Sequence, residues 1–471
     1  MSLSAICRAL GVGIFFLAIA MLAPMAVAIF QADEPIGPYL FALILTAFSA
    51  GLLVVLGGGA RERQVDVREA MAFVFLWWTL APIFGAAPFV LAGAPAADAY
   101  FEAVSALSTT GAWLSESDAR ATMSGVLWRS SMQWIGGLAS LTIAAAIFIQ
   151  PIFVGVQTPA TPFARSEDGS YFGAMAGALR YFAIPYMAMT ALCFVALTAA
   201  GEPALPAFAT ALSVTASGGF YAGASLETSE PALTLAIAGM TLPFVFFSGA
   251  SFALLSAMGR GRMERARDLE TGAYAVIVLT FGVLLWITAD TTNVNEGPAF
   301  LQQFFNAASL MSTNGVTIGA APSLAISLVA VIIGGSALST AGGLKIIRWL
   351  VLFRRVREEI SRLITPRAVF GRSFVSDEFG VWIHFLAFTF AIAALTLALT
   401  AGGQGFAVSA AAAAGVLSNA GPVLFLAAEG APGYEIFEGT IFRLVLVVGM
   451  ILGRIETVAA LVLFNRAFWR S

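Results

Sequence analysis

The sequence predicts an all-α polytopic membrane protein, with a two-helix N-terminal hairpin and four span–pore-loop–span repeats around a central pore. Three observations predict this fold. Hydrophobic residues make up 59% of the 471 residues and charged residues only 11%, whereas soluble domains carry about 25% charged residues. Ten segments are apolar and long enough to cross the membrane. A short run of small polar residues ending in glycine occurs four times.

The ten predicted spans have the apolar length needed to cross a hydrocarbon core of about 30 Å. They cover residues 9–30, 37–58, 70–94, 122–152, 175–200, 231–258, 272–289, 321–353, 379–401 and 436–464. The first two form the hairpin and the other eight form four pairs. A cleaved signal peptide is the alternative for residues 9–30, but that run is longer than the usual apolar region of such a peptide.

The four polar runs lie between the two spans of each pair. They occupy Phe101–Ser115, Thr210–Gly223, Asn306–Gly319 and Ala412–Phe425. Their aligned glycines, Gly111, Gly219, Gly315 and Gly421, are 108, 96 and 106 residues apart. A period this regular indicates an architectural repeat. The predicted units are residues 1–60 for the hairpin, then 61–160, 161–262, 263–372 (with a broken second span) and 373–471.

Each polar run follows a short apolar helix of about 11 residues, which is about 16 Å long at 1.5 Å per residue. Such a helix reaches only halfway through a bilayer. Non-helical backbone at that depth is tolerated only where it is buried in protein or lines a wet cavity. The four runs are therefore predicted to meet on a common axis.

Charged residues predict the orientation. Arginines concentrate in the loops around residues 61–68, 260–267 and 354–372 and at the C-terminus, which places these segments and both termini in the cytoplasm by the positive-inside rule. Acidic residues concentrate on the opposite side, where they would raise the local cation concentration. The net charge of −3 does not indicate a nucleic-acid partner.

The repeated runs have the chemistry needed to bind a dehydrated monovalent cation. Glycine allows backbone carbonyls to turn inward, and each short helix directs a C-terminal partial charge of about −0.5 toward its run. This is the principle of a selectivity filter. Close helix packing through small residues is the alternative. The predicted ion-binding residues are Thr109, Thr110, Gly111, Ser217, Gly218, Gly219, Thr313, Asn314, Gly315, Asn419, Ala420 and Gly421.

Four further motifs accompany these runs: WRSSMQWIGG at Trp128–Gly137, IIGGSALSTAGGLKIIR at Ile332–Arg348, LSNAGP at Leu417–Pro422 and MILGRIET at Met450–Thr457. With them, the chain resembles the Trk/Ktr/HKT superfamily of potassium transport proteins, and most closely its TrkH-type membrane subunits. The resemblance implies K⁺ as the transported ion, no bound cofactor, a homodimer in the cell inner (plasma) membrane and a cytosolic TrkA-like nucleotide-binding regulatory ring. Channel-like conduction and H⁺- or Na⁺-coupled symport both stay open.

The span at residues 321–353 is interrupted by glycines and hydroxyl residues, a composition that breaks helices. The residues concerned are Gly334, Gly335, Ser336, Ser339, Thr340, Gly342 and Gly343. The resemblance implies an intramembrane gate that blocks the pore and moves on activation, whereas the alternative is a kink that serves helix packing. Lys345, the only lysine, follows directly. It either faces the protein interior, as charges within a membrane usually do, or lies at the cytoplasmic edge.

Arg454 matches the arginine that lines the pore in the resembling family. Glu456 is not on the same helix face as Arg454, so a pair between the two is not expected. Arg129 and Arg443 are expected to pair with acidic residues of the outer side. His384 is predicted to be a packed core residue.

Two other classes of function are less favoured. A secondary transporter of another small solute, or of Na⁺, through broken helices would require inverted repeats, whereas every predicted pair of spans here begins and ends on the same side. An intramembrane enzyme would require catalytic side chains in a defined arrangement, and no such motif occurs. The chain is therefore predicted not to be an enzyme.

Overall fold

The computed structural model describes residues 3–31, 36–58, 67–114, 122–148, 170–220, 231–259, 269–289, 299–364, 378–428 and 433–457, together with Ala460, Leu463, Asn465 and Phe468. These residues form helices and connecting loops and contain no strand. The predicted all-α class is confirmed. The predicted boundaries between the hairpin and the four repeats all lie outside the described residues, as do most of the arginines that predict the orientation.

The N-terminal hairpin consists of α1 (Leu3–Ala20) with α2 (Leu22–Gln31), followed by α3 (Ile36–Leu56). Helices α1 and α3 pack so closely that a Cβ at Gly11 would lie only 2.8 Å from the Ala50 carbonyl oxygen. Large apolar side chains on the other face of α3, such as Phe48, are exposed. That exposure is expected of a helix that faces lipid.

The rest of the chain repeats one order of helices four times: a first span, a short helix and a second span. The first spans are α4 (Val67–Leu91), α7 (Tyr171–Ala199), α11 (Leu269–Thr288) and α15 (Glu378–Ala401). The short helices are α5 (Ala96–Leu107), α8 (Ala204–Thr215), α12 (Ala299–Met311) and α16 (Phe406–Leu417). The second spans are α6 (Met123–Ile143), α9 (Pro231–Gly249) with α10 (Phe252–Gly259), α13 (Leu324–Ile333) with α14 (Ile346–Ile364), and α17 (Thr440–Ile455).

By length and composition, seven described helices could cross a membrane, or eight when the bent pair α9 and α10 counts as one span. The chain is therefore a multi-pass membrane protein. Two of the ten predicted spans are not among these helices, for separate reasons. The span at 321–353 is divided into α13 and α14, and that at 436–464 is described as a continuous helix only over Thr440–Ile455.

The break between α9 and α10 corrects the prediction of an uninterrupted span at residues 231–258. The two helices meet at an angle of 105°. Backbone groups freed by this break bond to the interrupted span of the third repeat: Phe252 donates to the Leu338 carbonyl at 2.7 Å, and Ser336 donates to the Gly249 carbonyl at 2.9 Å. Two broken spans thus satisfy each other's backbone, as membrane-embedded irregular chain requires.

Candidate functional site

The four short helices end in the same register. Each is 12 or 13 residues long, about 18 Å, and their last residues are separated by the same intervals as the four aligned glycines. Two residues after each helix end, a residue other than glycine adopts the left-handed conformation. These residues are Thr109, Ser217, Thr313 and Asn419, with φ of 55°, 55°, 58° and 53°.

A Schellman motif ends three of the short helices. In α5, Thr109 N–H donates to the Ala106 carbonyl at 2.9 Å and Thr110 N–H to the Ser105 carbonyl at 2.8 Å. The same pair of bonds ends α8 and α16, whereas α12 makes the second bond one residue later. Glycine usually occupies the left-handed position of this motif, and another residue there costs about 1–2 kcal/mol. Side-chain oxygens at a strained position indicate a functional site.

Four loops follow these helices: loop 1 (108–111), loop 2 (216–219), loop 3 (312–315) and loop 4 (418–421). In each loop the terminal glycine lies against the carbonyl oxygen that precedes the glycine of the next loop. The contacts run from Gly111 to Gly218, from Gly219 to Asn314, from Gly315 to Ala420 and from Gly421 to Thr110. A Gly421 N–H bond to the Thr110 carbonyl, 2.6 Å long, joins the last loop to the first. We call this closed arrangement the glycine ring.

Three positions of the glycine ring require glycine because a Cβ has no room. At Gly111 and Gly219 it would overlap the carbonyl oxygen of the next loop, and at Gly421 it would lie 2.8 Å from the Thr110 oxygen. Three of the glycines also have positive φ, but Gly421 does not, because it begins the 3₁₀ helix Gly421–Leu426. All twelve predicted ion-binding residues are buried at this ring.

The ring therefore offers uncharged oxygens at the C-termini of four short helices, an arrangement that favours a monovalent cation. Within the described ranges, no group of three or more His, Cys, Asp or Glu residues could hold a metal ion. Trp113, a bulky residue two positions beyond loop 1, stacks on Phe425, which follows loop 4, with ring centroids 4.5 Å apart.

The backbone beyond loop 1 is held by a buried ion pair. Glu102 and Arg129 lie 2.5 Å apart. Glu102 accepts a 2.6 Å bond from Leu114 N–H, and Arg129 donates to the Ala112 carbonyl at 2.5 Å. In the third repeat the neutral Asn306 occupies the equivalent position. The predicted pairing of Arg129 with an acidic residue is confirmed, as is that of Arg443, which lies 3.0 Å from Asp98.

Replacing Glu102 with glutamine should destabilise the protein by about 3–5 kcal/mol, because a buried arginine then loses its counter-charge. Glutamine keeps the acceptor for Leu114, so the loss reports the charge. Asp98→Asn is the matched control. Asp98 is 35% exposed in its pair with Arg443, and the expected loss is less than about 1 kcal/mol. Unfolding in detergent measures both losses, and equal losses would contradict this account of the pair.

An irregular segment, residues 334–345, lies against three of the loops. It begins where α13 ends at Gly334, with φ of 73°. Thr340 Oγ1 lies 2.8 Å from Ser217 Oγ in loop 2, and Gly342 N–H donates to Thr313 Oγ1 in loop 3 at 2.8 Å. A Cβ at Gly342 would overlap the Ser418 carbonyl oxygen in loop 4. Two of the four left-handed residues, Ser217 and Thr313, thus bond to this segment through their side chains.

Arg454 joins the irregular segment to loop 1. It is buried and donates to the Ser108 carbonyl, to Thr109 Oγ1 and, at 2.9 Å, to the Thr340 carbonyl. None of the carboxylates in the described ranges pairs with it. Its positive charge therefore meets the C-terminal partial charge of α5.

A glycine replaces Arg454 at the corresponding place in the other three repeats. Each second span approaches the residue that caps the short helix of the next repeat. The contacts are Gly137 with Ala216, Gly249 with Ser312 and Gly342 with Ser418. In the fourth contact, with Ser108, the charged residue Arg454 takes the place of the glycine. Arg454 is predicted from the sequence, whereas Gly137 and Gly249 are not. The Gly-Gly dipeptide at 136–137 and the Ser-Gly dipeptide at 248–249 are the signals that could indicate them.

Lys345 is half-buried, has a φ of 70° and donates to the Ala341 carbonyl within the irregular segment. Glu456 pairs with Arg348 rather than with Arg454, and it thereby joins the end of α17 to the first turn of α14. His384 is buried, and Cys7 and Cys193 are free thiols.

Comparison with known proteins gives consistent results. The model of the TrkH family, described as a cation transport protein, matches residues 87–470. The Trk system potassium uptake protein TrkH of Halomonas elongata is 29% identical, and that of Escherichia coli K12 is 27% identical, each over the full length of both chains. The crystal structure of the potassium transporter TrkH from Vibrio parahaemolyticus superposes with a TM-score of 0.85 at 27% identity and full coverage of both chains.

Proposed function

Since the chain belongs to the TrkH family of cation transport proteins, we propose that it is the ion-conducting membrane subunit of a potassium uptake system. K⁺ passes through the glycine ring, which acts as the selectivity filter. The protein is a transport protein and not an enzyme. The two relatives from Halomonas elongata and Escherichia coli are named potassium uptake proteins, and their similarity to this chain extends over the full length of both sequences.

The closed order of the four glycine contacts carries this proposal. Each ring oxygen lies beside a residue without a side chain, so a cation on the axis meets backbone oxygens alone. No fixed negative charge is needed to attract the ion, because four helix C-termini face the ring. Uncharged ligands bind an ion weakly enough that it can also leave, which conduction requires.

The irregular segment 334–345 acts as the gate. It bonds to loops 2 and 3 and, through Arg454, to loop 1, so an ion leaving the ring meets its backbone and the arginine charge. Opening requires these bonds to break. The segment contains four glycines, which allow the large changes of φ and ψ that such a movement needs.

The gate continues directly into α14, whose later turns carry Arg354, Arg355, Arg357 and Arg362. This basic helix supports a cytoplasmic position and a site for a TrkA-like nucleotide-binding regulatory ring. A homodimer in the cell inner membrane, with both termini in the cytoplasm, completes the proposed assembly. A secondary transporter through broken helices is less favoured, because one broken span contains the gate segment and the other, α9 with α10, supplies bonds to it.

Uptake of ⁸⁶Rb⁺ into proteoliposomes containing the purified chain tests this function, with and without the regulatory partner. We expect K⁺ to compete with ⁸⁶Rb⁺ at least about tenfold better than Na⁺, a difference of about 1.4 kcal/mol. Liposomes without protein provide the control. Equal competition by K⁺ and Na⁺ would contradict the assignment of the filter.

A further inference from the structure

Gln133 is a fully buried residue of α6 that contacts one carbonyl oxygen of the glycine ring. Its side-chain Nε2 donates a 2.7 Å hydrogen bond to the Gly218 carbonyl. The two residues belong to different repeats, because α6 is the second span of the first repeat and Gly218 lies in loop 2. The Gly218 oxygen is also the one that lies against Gly111.

Two of the other three ring oxygens are held by backbone groups. The Thr110 oxygen accepts a bond from Gly421 N–H at 2.6 Å, and the Ala420 oxygen accepts one from Val423 N–H at 3.2 Å. Both of these donors are backbone groups. Over the ranges that the structure describes, Gln133 is thus the one side chain that donates to an oxygen of the ring.

The cost of this contact indicates that it serves more than stability. The second polar atom of Gln133, Oε1, is buried without a hydrogen-bond partner among the described residues. Leaving a buried acceptor unsatisfied costs, on average, more free energy than a typical hydrogen bond contributes. A Cβ at Gly218 would lie 2.5 Å from the Gln133 amide, so loop 2 also requires a glycine to admit it.

We propose that Gln133 is a positioning residue that determines the specificity of the filter. Its N–H occupies one lone pair of the Gly218 oxygen and holds that carbonyl outward. The oxygen therefore cannot move inward to contact the smaller Na⁺, whereas K⁺ reaches it without movement. This inference rests on the proposed function, because it assumes that the ring binds K⁺.

The test measures ion preference by thermal stability, which does not require the gate to open. A ligand that binds only the folded protein raises its stability according to its concentration and affinity. Titration of the full-length chain in detergent with KCl and with NaCl, at constant ionic strength, gives an apparent affinity for each ion. The ratio of the two affinities is compared among variants.

Two variants remove the donor in different ways. Gln133→Met keeps the length of the side chain, and Gln133→Leu keeps a branched end on a shorter side chain. We expect the K⁺/Na⁺ affinity ratio to fall at least about fivefold in both. Gln303→Met is the matched control. Gln303 is also fully buried and donates to the Ala320 carbonyl at 3.0 Å, outside the ring, and the ratio should stay within about twofold of the original chain.

Each outcome has a separate meaning. If the unsubstituted chain shows no preference for K⁺, the proposed function itself fails. If it prefers K⁺ and the Gln133 variants keep that ratio within about twofold, the role of Gln133 is overturned. An equal loss in Gln303→Met would also overturn it, because any buried amide would then have the same effect. Should one Gln133 variant fail to fold, the other decides.

Discussion

Replacing Gly219 with alanine is expected to reduce selective ⁸⁶Rb⁺ uptake by at least about 100-fold, equivalent to about 2.7 kcal/mol. Gly219 has a φ of 65°, and its Cβ would overlap the Asn314 carbonyl oxygen and lie 3.0 Å from Pro422. The ring oxygen of loop 3 must then move away from the axis. Flux in proteoliposomes measures the loss, and the stabilisation by K⁺ in detergent should disappear with it.

Gly403→Ala is the control that separates the two effects of Gly219→Ala, the steric overlap at the ring and the backbone strain of a positive φ. Gly403 also has a positive φ, of 94°, but a Cβ there would meet nothing within 4 Å. The left-handed alanine should lower stability by about 1–2 kcal/mol and leave K⁺-selective uptake intact. If Gly219→Ala conducted as selectively as Gly403→Ala, the glycine ring would not be the filter.

Replacing Arg454 with alanine is expected to raise ⁸⁶Rb⁺ flux without the regulatory partner by at least about tenfold. The guanidinium links the Thr340 carbonyl of the proposed gate to Ser108 and Thr109 of loop 1. Its removal breaks these links and takes a positive charge from the proposed ion path. Alanine resembles the glycine found at the corresponding place in the other repeats, so the short helices should keep their packing.

Arg354→Ala provides the control for Arg454→Ala. Arg354 is 56% exposed on α14 and pairs with Glu358 at 3.4 Å, so its loss should leave both basal flux and melting temperature unchanged. Flux through Arg454→Ala that stays at the original level, in a protein with an unchanged melting temperature, would remove Arg454 from the gate.

Much of the candidate site could be predicted from local sequence. The interval between Gly111, Gly219, Gly315 and Gly421 reappears in the helix ends and in the left-handed residues, because a helix of limited apolar length followed by a polar run ends at a definite point. The interruption at 334–343 was predicted from its glycines. The helix ends, the left-handed residues and the interruption depend mainly on residues that are neighbours in the chain.

Other features depend on which distant residues meet. The break between α9 and α10 was not predicted, because residues 231–258 contain no charged residue and are mostly apolar. The bonds that compensate for the break come from the distant residues 336–338. The bond from Gln133 to Gly218 and the pair Arg348–Glu456 connect segments 85 and 108 residues apart.

The amino-acid sequence alone was sufficient for the membrane class, the four-fold period and the residues of the ring, since apolar length and glycine conformation are local properties. The three-dimensional packing decided which carbonyl lies beside which glycine, and which side chain holds it. Those contacts depend on the space left between helices from different repeats, and no local pattern in the chain records that space.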